Sequence, residues 1–272
     1  MVNPFHRVSR MAWRDGEMRA GDRAIPEEVA VALSYNGSSH AVMMATPQDL
    51  EDFAVGFSLT EGIVASAGEI RSIDVIEQEI GIELRMWLAE PRAAALADRR
   101  RFLAGPTGCG LCGIESLAEA MRSQQAVVDD ARFSPDEIMA AVEAVGVHQV
   151  LNAETRAVHG VAFWTREEGI VAAREDVGRH NALDKLAGAL ARAGRNGAGG
   201  IGVLTSRISV EMVQKAIATC IPVIAAVSAP TALAVRTAEA AGVTLVGIAR
   251  RDGFELFTHP HRIVVSEPAH AS

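Results

Sequence analysis

Three short apolar runs in the second half of the chain alternate with helical patterns, and this alternation constrains the fold more than any other feature. The apolar runs cover 201–205, 223–227 and 243–248, and the helical patterns between them cover 210–219 and 231–241. Strands that are apolar throughout are typical of sheets covered on both faces, and a helical crossover joins parallel neighbours. The sequence therefore predicts parallel strands covered by helices.

The first half of the chain contains strands that are joined by short turns. Alternating apolar and polar residues predict one hairpin over 27–45, which turns at Asn36, and a second hairpin over 70–88. Between the hairpins we expect a helix that has Thr46 as its N-cap residue and ends at Gly62. This half is therefore predicted to be a small α+β unit.

The chain is long enough, at 272 residues, for two modest domains. We predict an α/β protein with an N-terminal arm at 1–26, an α+β domain at 27–133 and a larger α/β domain at 134–272. A hairpin over 158–174 and a helix over 178–193 are expected to precede the parallel strands of the larger domain.

The charge and hydropathy of the chain exclude several classes of function. Lys and Arg number 26 against 34 Asp and Glu, which gives a net charge of −8, whereas a general nucleic-acid binder carries a concentrated basic surface. No apolar run approaches the ~20 residues of a membrane helix, and the N-terminus lacks the apolar region of a secretory signal. We therefore expect a cytoplasmic protein that binds neither nucleic acid nor membranes.

Two of the three cysteines, Cys109 and Cys112, lie in the hexapeptide Gly-Cys-Gly-Leu-Cys-Gly. The glycine spacing matches a dinucleotide-binding turn, but Pro106 stands where that motif requires a strand. A reactive thiol fits better, because the glycines leave both sulfur atoms open to another molecule. A helix predicted from Ile114 and the arginines at 99–101 would both stabilise a thiolate. We therefore favour sulfur or redox chemistry at this loop.

A zinc site is a further interpretation of the same cysteine pair. Cys220, His259 and His261 supply additional ligand types, although the two histidines stand closer in sequence than is usual for a zinc site. We expect no bound metal, because no second close pair of cysteines completes the set.

A second candidate site begins the helix predicted from 178. Asp176, His180 and Asp184 recur at four-residue spacing, which places them on one helical face, and a carboxylate beside a histidine suits acid–base chemistry. The alternative interpretation has Asp176 as the N-cap residue and His180 bonded to a neighbour. Spacing alone leaves both open.

A third candidate site follows the last parallel strand, which is predicted to end near Ile248. In open α/β sheets, ligands bind beyond the carboxyl ends of the strands. The adjacent Arg250 and Arg251 suit the oxygens of phosphate or pyrophosphate. The alternative is a solvated turn at Asp252 and Gly253 that leads into a hairpin.

Several segments together resemble the FdhD family, the formate dehydrogenase accessory sulfurtransferases. The resemblance covers roughly 27–265 with its elements in the same order, and the segments that carry it are 47–54, 107–113, 175–185, 205–215 and 257–260. It implies that the C-terminal half is a three-layer domain with a mixed sheet, similar to the cytidine deaminase fold. Deaminase chemistry does not carry over, because Gly160-Val161 follows His159 where a deaminase has its His-x-Glu motif.

The resemblance also implies a sulfur transfer. Members of this family accept sulfur from a cysteine desulfurase as a persulfide and pass it to the molybdenum bis-guanine-dinucleotide cofactor before formate dehydrogenase receives that cofactor. The persulfide cysteine matches Cys109, and Cys112 matches an assisting cysteine. The segment that matches the cofactor contact comprises Ile248, Ala249, Arg250, Arg251, Asp252 and Gly253.

One alternative from a different functional class remains open. The chain could hold the guanine-dinucleotide cofactor and dock the formate dehydrogenase apoenzyme as a chaperone, without moving sulfur. The sequence also leaves the oligomeric state open, with a homodimer as one option.

Overall fold

The computed structural model describes residues 2–90, 92 and 126–265. The described residues form sheets of two, four and six strands. The two-stranded sheet is a hairpin of β1 (Phe5–Arg14) and β2 (Glu17–Pro26). The four-stranded sheet has the order β4-β3-β6-β5 and consists of β3 (Val29–Tyr35), β4 (Ser38–Ala45), β5 (Ile70–Gln78) and β6 (Gly81–Leu88). Helix α1 (Leu50–Thr60) packs on its inner face.

The six-stranded sheet is mixed, and its strand order is β12-β11-β10-β9-β7-β8. Its central strands β9, β10 and β11 run parallel, whereas β7, β8 and β12 pair antiparallel with their neighbours. The strands are β7 (His159–Thr165), β8 (Gly169–Asp176), β9 (Ile201–Leu204), β10 (Val223–Ala226), β11 (Thr244–Arg250) and β12 (Gly253–Leu256). The predicted α/β class and the predicted parallel strands are confirmed.

Helices cover both faces of this sheet. On one face, α4 (Arg179–Arg192), α5 (Val210–Ala218) and α6 (Ala232–Ala241) pack on side chains such as Leu204 and Ile224. On the other face, α2 (Pro135–Ala144) packs on Val203 and Val223. A short helix, α3 (Val150–Thr155), precedes β7. Successive strand residues point to opposite faces, which is why these strands are apolar throughout.

The hairpins predicted from the first half are confirmed, but the predicted start of α1 is wrong. The N-cap residue is Asp49, in the left-handed region at φ 53°, rather than Thr46. Thr46 is instead engaged with the other half of the chain, since its amide donates to the Asp176 carboxylate and its hydroxyl accepts the amide of Val177. Thr46 therefore takes part in a tertiary contact instead of capping α1. The domain boundaries stay a prediction.

Helices α1 and α4 cross at very short range through two glycines. A Cβ atom on Gly56 would lie 1.6 Å from the carbonyl oxygen of Asp184 in α4. A Cβ atom on Gly188 would lie 1.8 Å from the carbonyl oxygen of Asp52 in α1. Each helix therefore packs directly on the backbone of the other, and this crossing joins the four-stranded sheet to the six-stranded one. Among the described helices, none has the length and apolar character needed to cross a membrane.

Replacing Gly188 by Ala should lower the free energy of unfolding by about 1–3 kcal/mol, because the added methyl group meets main-chain atoms that no rotamer change can move. Urea unfolding of both proteins measures the difference. The matched control is Gly146→Ala, since a Cβ atom there meets nothing within 4 Å. Equal stabilities of the Gly188→Ala variant and the parent protein would contradict the close crossing.

Candidate functional site

The carboxyl ends of the parallel strands meet at one edge of the six-stranded sheet. Strands β9, β10 and β11 end at Leu204, Ala226 and Arg250 and point the same way, so the segments after them lie side by side. The segment predicted to contact a cofactor, from Ile248 to Gly253, lies at this edge. Its position therefore agrees with the general location of ligand sites in such sheets.

The backbone of this segment departs from a simple strand end. Strand β11 continues to Arg250, beyond the predicted end at Ile248, and a turn at 251–252 leads into β12. The pairing of β11 with β12 shifts register between Gly247 and Arg250, and Ile248 has φ 53°. A β-branched residue is strained in that region, and such strain is concentrated at ligand sites. The hairpin and the segment predicted to contact a cofactor are thus the same structure.

Arg250 and Arg251 are exposed at the end of this hairpin. Within the described ranges neither guanidinium forms an ion pair with a carboxylate. Their charges are therefore available to an anion at the edge. The geometry does not choose between a ligand site and a solvated turn, so the proposed contact of this segment with the cofactor stays a prediction.

A second cationic group lies at the same edge, at the start of α4. His159 begins β7, whose pairing with β9 places it next to the end of that strand, and Arg179 and His180 form the first turn of α4. Burial lowers the pKa of both histidines, and the positive charge of Arg179 lowers both further. Both imidazoles are therefore held mainly in the neutral form near pH 7.

Two buried nitrogen atoms of this group lack partners. The Nε atom of Arg179 and the Nε2 atom of His180 make no hydrogen bond to any residue in the described part of the chain. Glu211 comes nearest, with its Oε2 atom 3.9 Å from His180 Nε2. A buried polar atom without a partner costs about 1–3 kcal/mol, which a ligand can recover by binding there. These atoms are therefore suited to contact an anion.

The predicted shared face of Asp176, His180 and Asp184 is wrong. Asp176 is the last residue of β8 rather than part of the helix, so helical spacing does not apply to it. The N-cap residue of α4 is Gly178, not Asp176, although the Asp176 carboxylate accepts the Gly178 amide at 2.8 Å. The two carboxylates bond to lysines instead of to the histidine.

Asp176 belongs to a fully buried ion pair beneath the edge. Its Oδ2 atom accepts from Lys185 Nζ at 2.6 Å, and both side chains are completely inaccessible to solvent. The same carboxylate also accepts from Asn181 and from the Thr46 amide, while Lys185 donates to the Thr46 carbonyl oxygen. Burial lowers the pKa of Lys185, and the charge of Asp176 opposes that effect. Thr46 links this pair to the four-stranded sheet.

Asp184, which directly precedes Lys185 in α4, belongs to a second buried pair. Its Oδ1 atom accepts from Lys215 Nζ at 2.8 Å and from the Thr60 hydroxyl at 2.6 Å, and Lys215 also donates to Glu61. Burial raises the pKa of Asp184, and the charge of Lys215 opposes that effect. Thr60 and Glu61 belong to the end of α1, so this pair also spans the two sheets.

The sequence analysis did not identify Lys185 and Lys215 as members of buried ion pairs. The available signal is that Lys185 stands between Leu183 and Leu186, on a helix whose buried residues include all three. A charged residue at such a position is almost always paired. The partners of Lys185 and Lys215 are distant in sequence or lie in another element, so spacing gives no access to them.

The three cysteines do not contribute to the site described above. Cys109 and Cys112 lie outside the described residues, so the predictions about them stay predictions. Cys220 is exposed at the end of α5. In the described ranges, no three His, Cys, Asp or Glu side chains come together as metal ligands, so Cys220 does not assemble with His259 and His261. The two histidine rings do contact each other, with centroids 5.6 Å apart.

Comparison with known proteins relates the chain to one family. A profile of the FdhD/NarQ family matches residues 26–264. Proteins named sulfur carrier protein FdhD from Agrobacterium fabrum and Brucella abortus are 54% and 52% identical to the chain, over 96% and 95% of its length and 97% of theirs. A crystal structure assigned as a formate dehydrogenase accessory protein from Desulfotalea psychrophila has a TM-score of 0.77 at 24% identity, covering 96% of this chain and 100% of that one. The crystal structure supports the fold alone.

Replacing Arg179 by Gln should raise the pKa of His180, because a positive charge that disfavours the imidazolium is removed while burial remains. A two-dimensional NMR titration of the histidine ring protons measures this pKa, and a His180→Asn variant assigns the signal. Since the folded pKa lies below the ordinary ~6.5, His180 costs stability as pH falls through that window, and the cost should be smaller in the variant. Arg236→Gln, at an exposed position on α6, is the control. An unchanged His180 pKa would contradict the electrostatic contact.

Proposed function

Because the chain belongs to the FdhD/NarQ family, we propose that it is a sulfurtransferase that serves formate dehydrogenase. One observation carries the proposal: a relative named sulfur carrier protein matches the chain over nearly its whole length at 54% identity. The glycine-flanked pair of Cys109 and Cys112 supplies the thiol chemistry that such a role requires.

We assign the acceptor thiol to Cys109. Its thiolate attacks the terminal sulfur of a persulfide on a cysteine desulfurase. The S–S bond of that persulfide breaks, the desulfurase cysteine leaves as a thiolate, and Cys109 then carries the persulfide. The step exchanges one S–S bond for another, so it needs no separate oxidant or reductant.

Release of the sulfur has two possible routes. In the first, the Cys112 thiolate attacks the inner sulfur of the Cys109 persulfide, a disulfide forms between the two cysteines, and hydrosulfide leaves with the electron pair. A cellular dithiol must then reduce the disulfide before the next cycle. In the second, an electron pair of the acceptor attacks the terminal sulfur, the S–S bond breaks, Cys109 leaves as a thiolate, and Cys112 only assists.

The proposed acceptor is the molybdenum bis-guanine-dinucleotide cofactor. It is held as cargo at the carboxyl edge of the six-stranded sheet, which is the edge where the carboxyl ends of β9, β10 and β11 meet. Arg250 at the end of β11 and Arg251 in the turn that follows suit its pyrophosphate oxygens. Arg179 adds a second cationic position next to β7, which is three strands away, or about 14 Å at the usual strand spacing. An elongated molecule with several phosphates matches two cationic positions at that separation. Formate dehydrogenase apoenzyme then receives the cofactor.

A cofactor-holding chaperone remains the second candidate, and one observation favours it. The arginines of the carboxyl edge lie far from the cysteine pair in the sequence, so a variant that lacks both cysteines keeps all of these cations. The chaperone hypothesis predicts that formate dehydrogenase is activated without either cysteine. The carrier hypothesis predicts that activation depends on Cys109.

Replacing Cys109 by Ala should abolish persulfide loading. The experiment incubates the protein with a cysteine desulfurase and cysteine and measures the intact mass with and without a reductant. The parent protein should gain ~32 Da, one sulfur atom, in a form that the reductant removes. The matched control is Cys220→Ala, which removes the exposed cysteine that follows α5 and should load normally.

Each outcome separates the two candidates. Loss of loading in Cys109→Ala together with loss of formate dehydrogenase activation supports the carrier. Full loading of Cys109→Ala would overturn the assignment of the acceptor thiol. Activation that survives Cys109→Ala would favour the chaperone.

Replacing Arg250 by Ala should weaken the binding of GDP, a probe for half of the guanine dinucleotide, by ~10- to 100-fold, because one charge-assisted contact is lost. Isothermal titration calorimetry gives the dissociation constant. Arg236→Ala, an exposed arginine on the outer side of α6, should bind as the parent does. An unchanged dissociation constant for Arg250→Ala would place the pyrophosphate elsewhere.

A further inference from the structure

The turn between β8 and α4, residues 176–178, leads into the cationic start of α4 but has little local support of its own. Its N-cap residue is Gly178, which has no side chain that could accept a helix amide. Asp176 supports the turn instead, since its Oδ1 atom accepts the Gly178 amide at 2.8 Å and Asn181 Nδ2 at 3.0 Å. The turn therefore depends on the carboxylate of Asp176 and on the groups that hold this carboxylate in place.

Thr46, which directly follows β4, contacts this region with each of its polar groups. Its amide donates to Asp176 Oδ2 at 3.0 Å, and its hydroxyl accepts the Val177 amide at 3.1 Å. Its carbonyl oxygen accepts from Lys185 Nζ at 2.9 Å. Thr46 is completely inaccessible to solvent, so water does not compete for these hydrogen bonds. One residue from the four-stranded sheet's side thus holds both residues that precede Gly178.

A second contact from β4 reaches the same region. Asn181 Nδ2 donates to the Met44 carbonyl oxygen at 2.8 Å as well as to Asp176. The glycine at 178 permits this approach, because a Cβ atom there would lie 2.8 Å from Asn181 Nδ2. The end of β4 and the turn before α4 therefore form one hydrogen-bonded unit across the two sheets.

Arg179 and His180 follow this turn directly. In the part of the chain that the structure describes, Arg179 Nε and His180 Nε2 have no hydrogen-bond partner, and Glu211 Oε2 lies 3.9 Å from His180 Nε2. The backbone from which the two side chains extend therefore sets their positions at the carboxyl edge. Binding groups that are held in place before a ligand arrives lose less conformational entropy when it binds.

We propose that Thr46 is a positioning residue for the carboxyl edge: by holding residues 176–178, it keeps Arg179 and His180 where an anionic ligand meets them. The inference deepens the proposed function and rests on it, because the ligand of this edge is the proposed cargo. It also gives the four-stranded sheet an indirect part in ligand binding, exerted through the turn before α4.

The test compares Thr46→Val with Thr46→Ser in the full chain. Valine has the shape of threonine but leaves the Val177 amide without its acceptor, whereas serine keeps the hydroxyl. Isothermal titration calorimetry with inorganic pyrophosphate, a probe for the phosphates of the cargo, gives the dissociation constant. Thr46→Val should weaken binding by about 10-fold, and Thr46→Ser should bind within about 2-fold of the parent protein.

A double-mutant comparison shows whether Thr46 acts through Arg179. Arg179→Gln alone should also weaken the binding of pyrophosphate, and the addition of Thr46→Val should then cause less than about 2-fold further loss. Losses that multiply would mean that the two residues act independently, which would overturn the proposal.

A second measurement does not depend on pyrophosphate. Burial and the charge of Arg179 lower the pKa of His180, so a displaced turn in Thr46→Val should move this pKa toward its ordinary value. Thr46→Ser should keep the pKa of the parent, as followed by NMR titration of the histidine ring protons. The control is Thr219→Val, at a buried threonine whose hydroxyl donates to the Lys215 carbonyl oxygen beyond the end of α5. It should change neither the pKa nor the dissociation constant.

The two measurements separate this inference from the proposed function. A parent protein that does not bind pyrophosphate would contradict the proposed cargo site, and the pKa of His180 would then decide the role of Thr46. A Thr46→Val variant that is less stable in urea, yet keeps the parent's pKa and dissociation constant, would overturn the proposal, because Thr46 would then be purely structural. If Thr46→Val does not fold, Asn181→Ala removes the contact with Met44 from the α4 side and carries the same expectations.

Discussion

The arrangement of the whole molecule depends on the crossing of α1 and α4, where two glycines let one helix backbone rest on the other. Gly56 and Gly188 leave no room for even a methyl group between the helices. Main-chain atoms cannot change rotamer, so the height and angle of α1 on α4 have little freedom. Because α1 also packs on the four-stranded sheet, the crossing sets the position of that sheet against the six-stranded one.

The close approach of α1 and α4 also explains how charged groups can be buried beside their crossing. Removing an ion pair from water costs several kcal/mol per ion, and only a complete set of hydrogen bonds offsets that cost. Thr46 completes the set around Asp176 and Lys185, and Thr60 does so around Asp184. Both threonines come from the other sheet's side of the crossing. A docking shifted by a few ångströms would leave buried charges without partners, so the ion pairs favour one arrangement over its neighbours.

The sequence predicted what depends on local pattern and failed where distant segments meet. The parallel strands and both hairpins of the first half follow from apolar alternation and turn residues, and the structure has them. Thr46 has the local signal of an N-cap residue, but Asp176 from the other half of the chain binds it instead. The four-residue spacing of Asp176, His180 and Asp184 suggested one helical face, whereas β8 ends at Asp176 and α4 begins at Arg179. Partners that lie over 100 residues apart leave no trace in spacing.

The carboxyl edge raises a question of charge, since a chain with a net charge of −8 is proposed to hold a polyanionic cargo. The answer lies in distance. At physiological ionic strength the Debye length is about 8 Å, so carboxylates elsewhere on the surface are largely screened at the edge. Arg179, Arg250 and Arg251 act at contact range, where screening is weak. The net negative charge of the whole chain therefore does not prevent these arginines from contacting an anion at the edge.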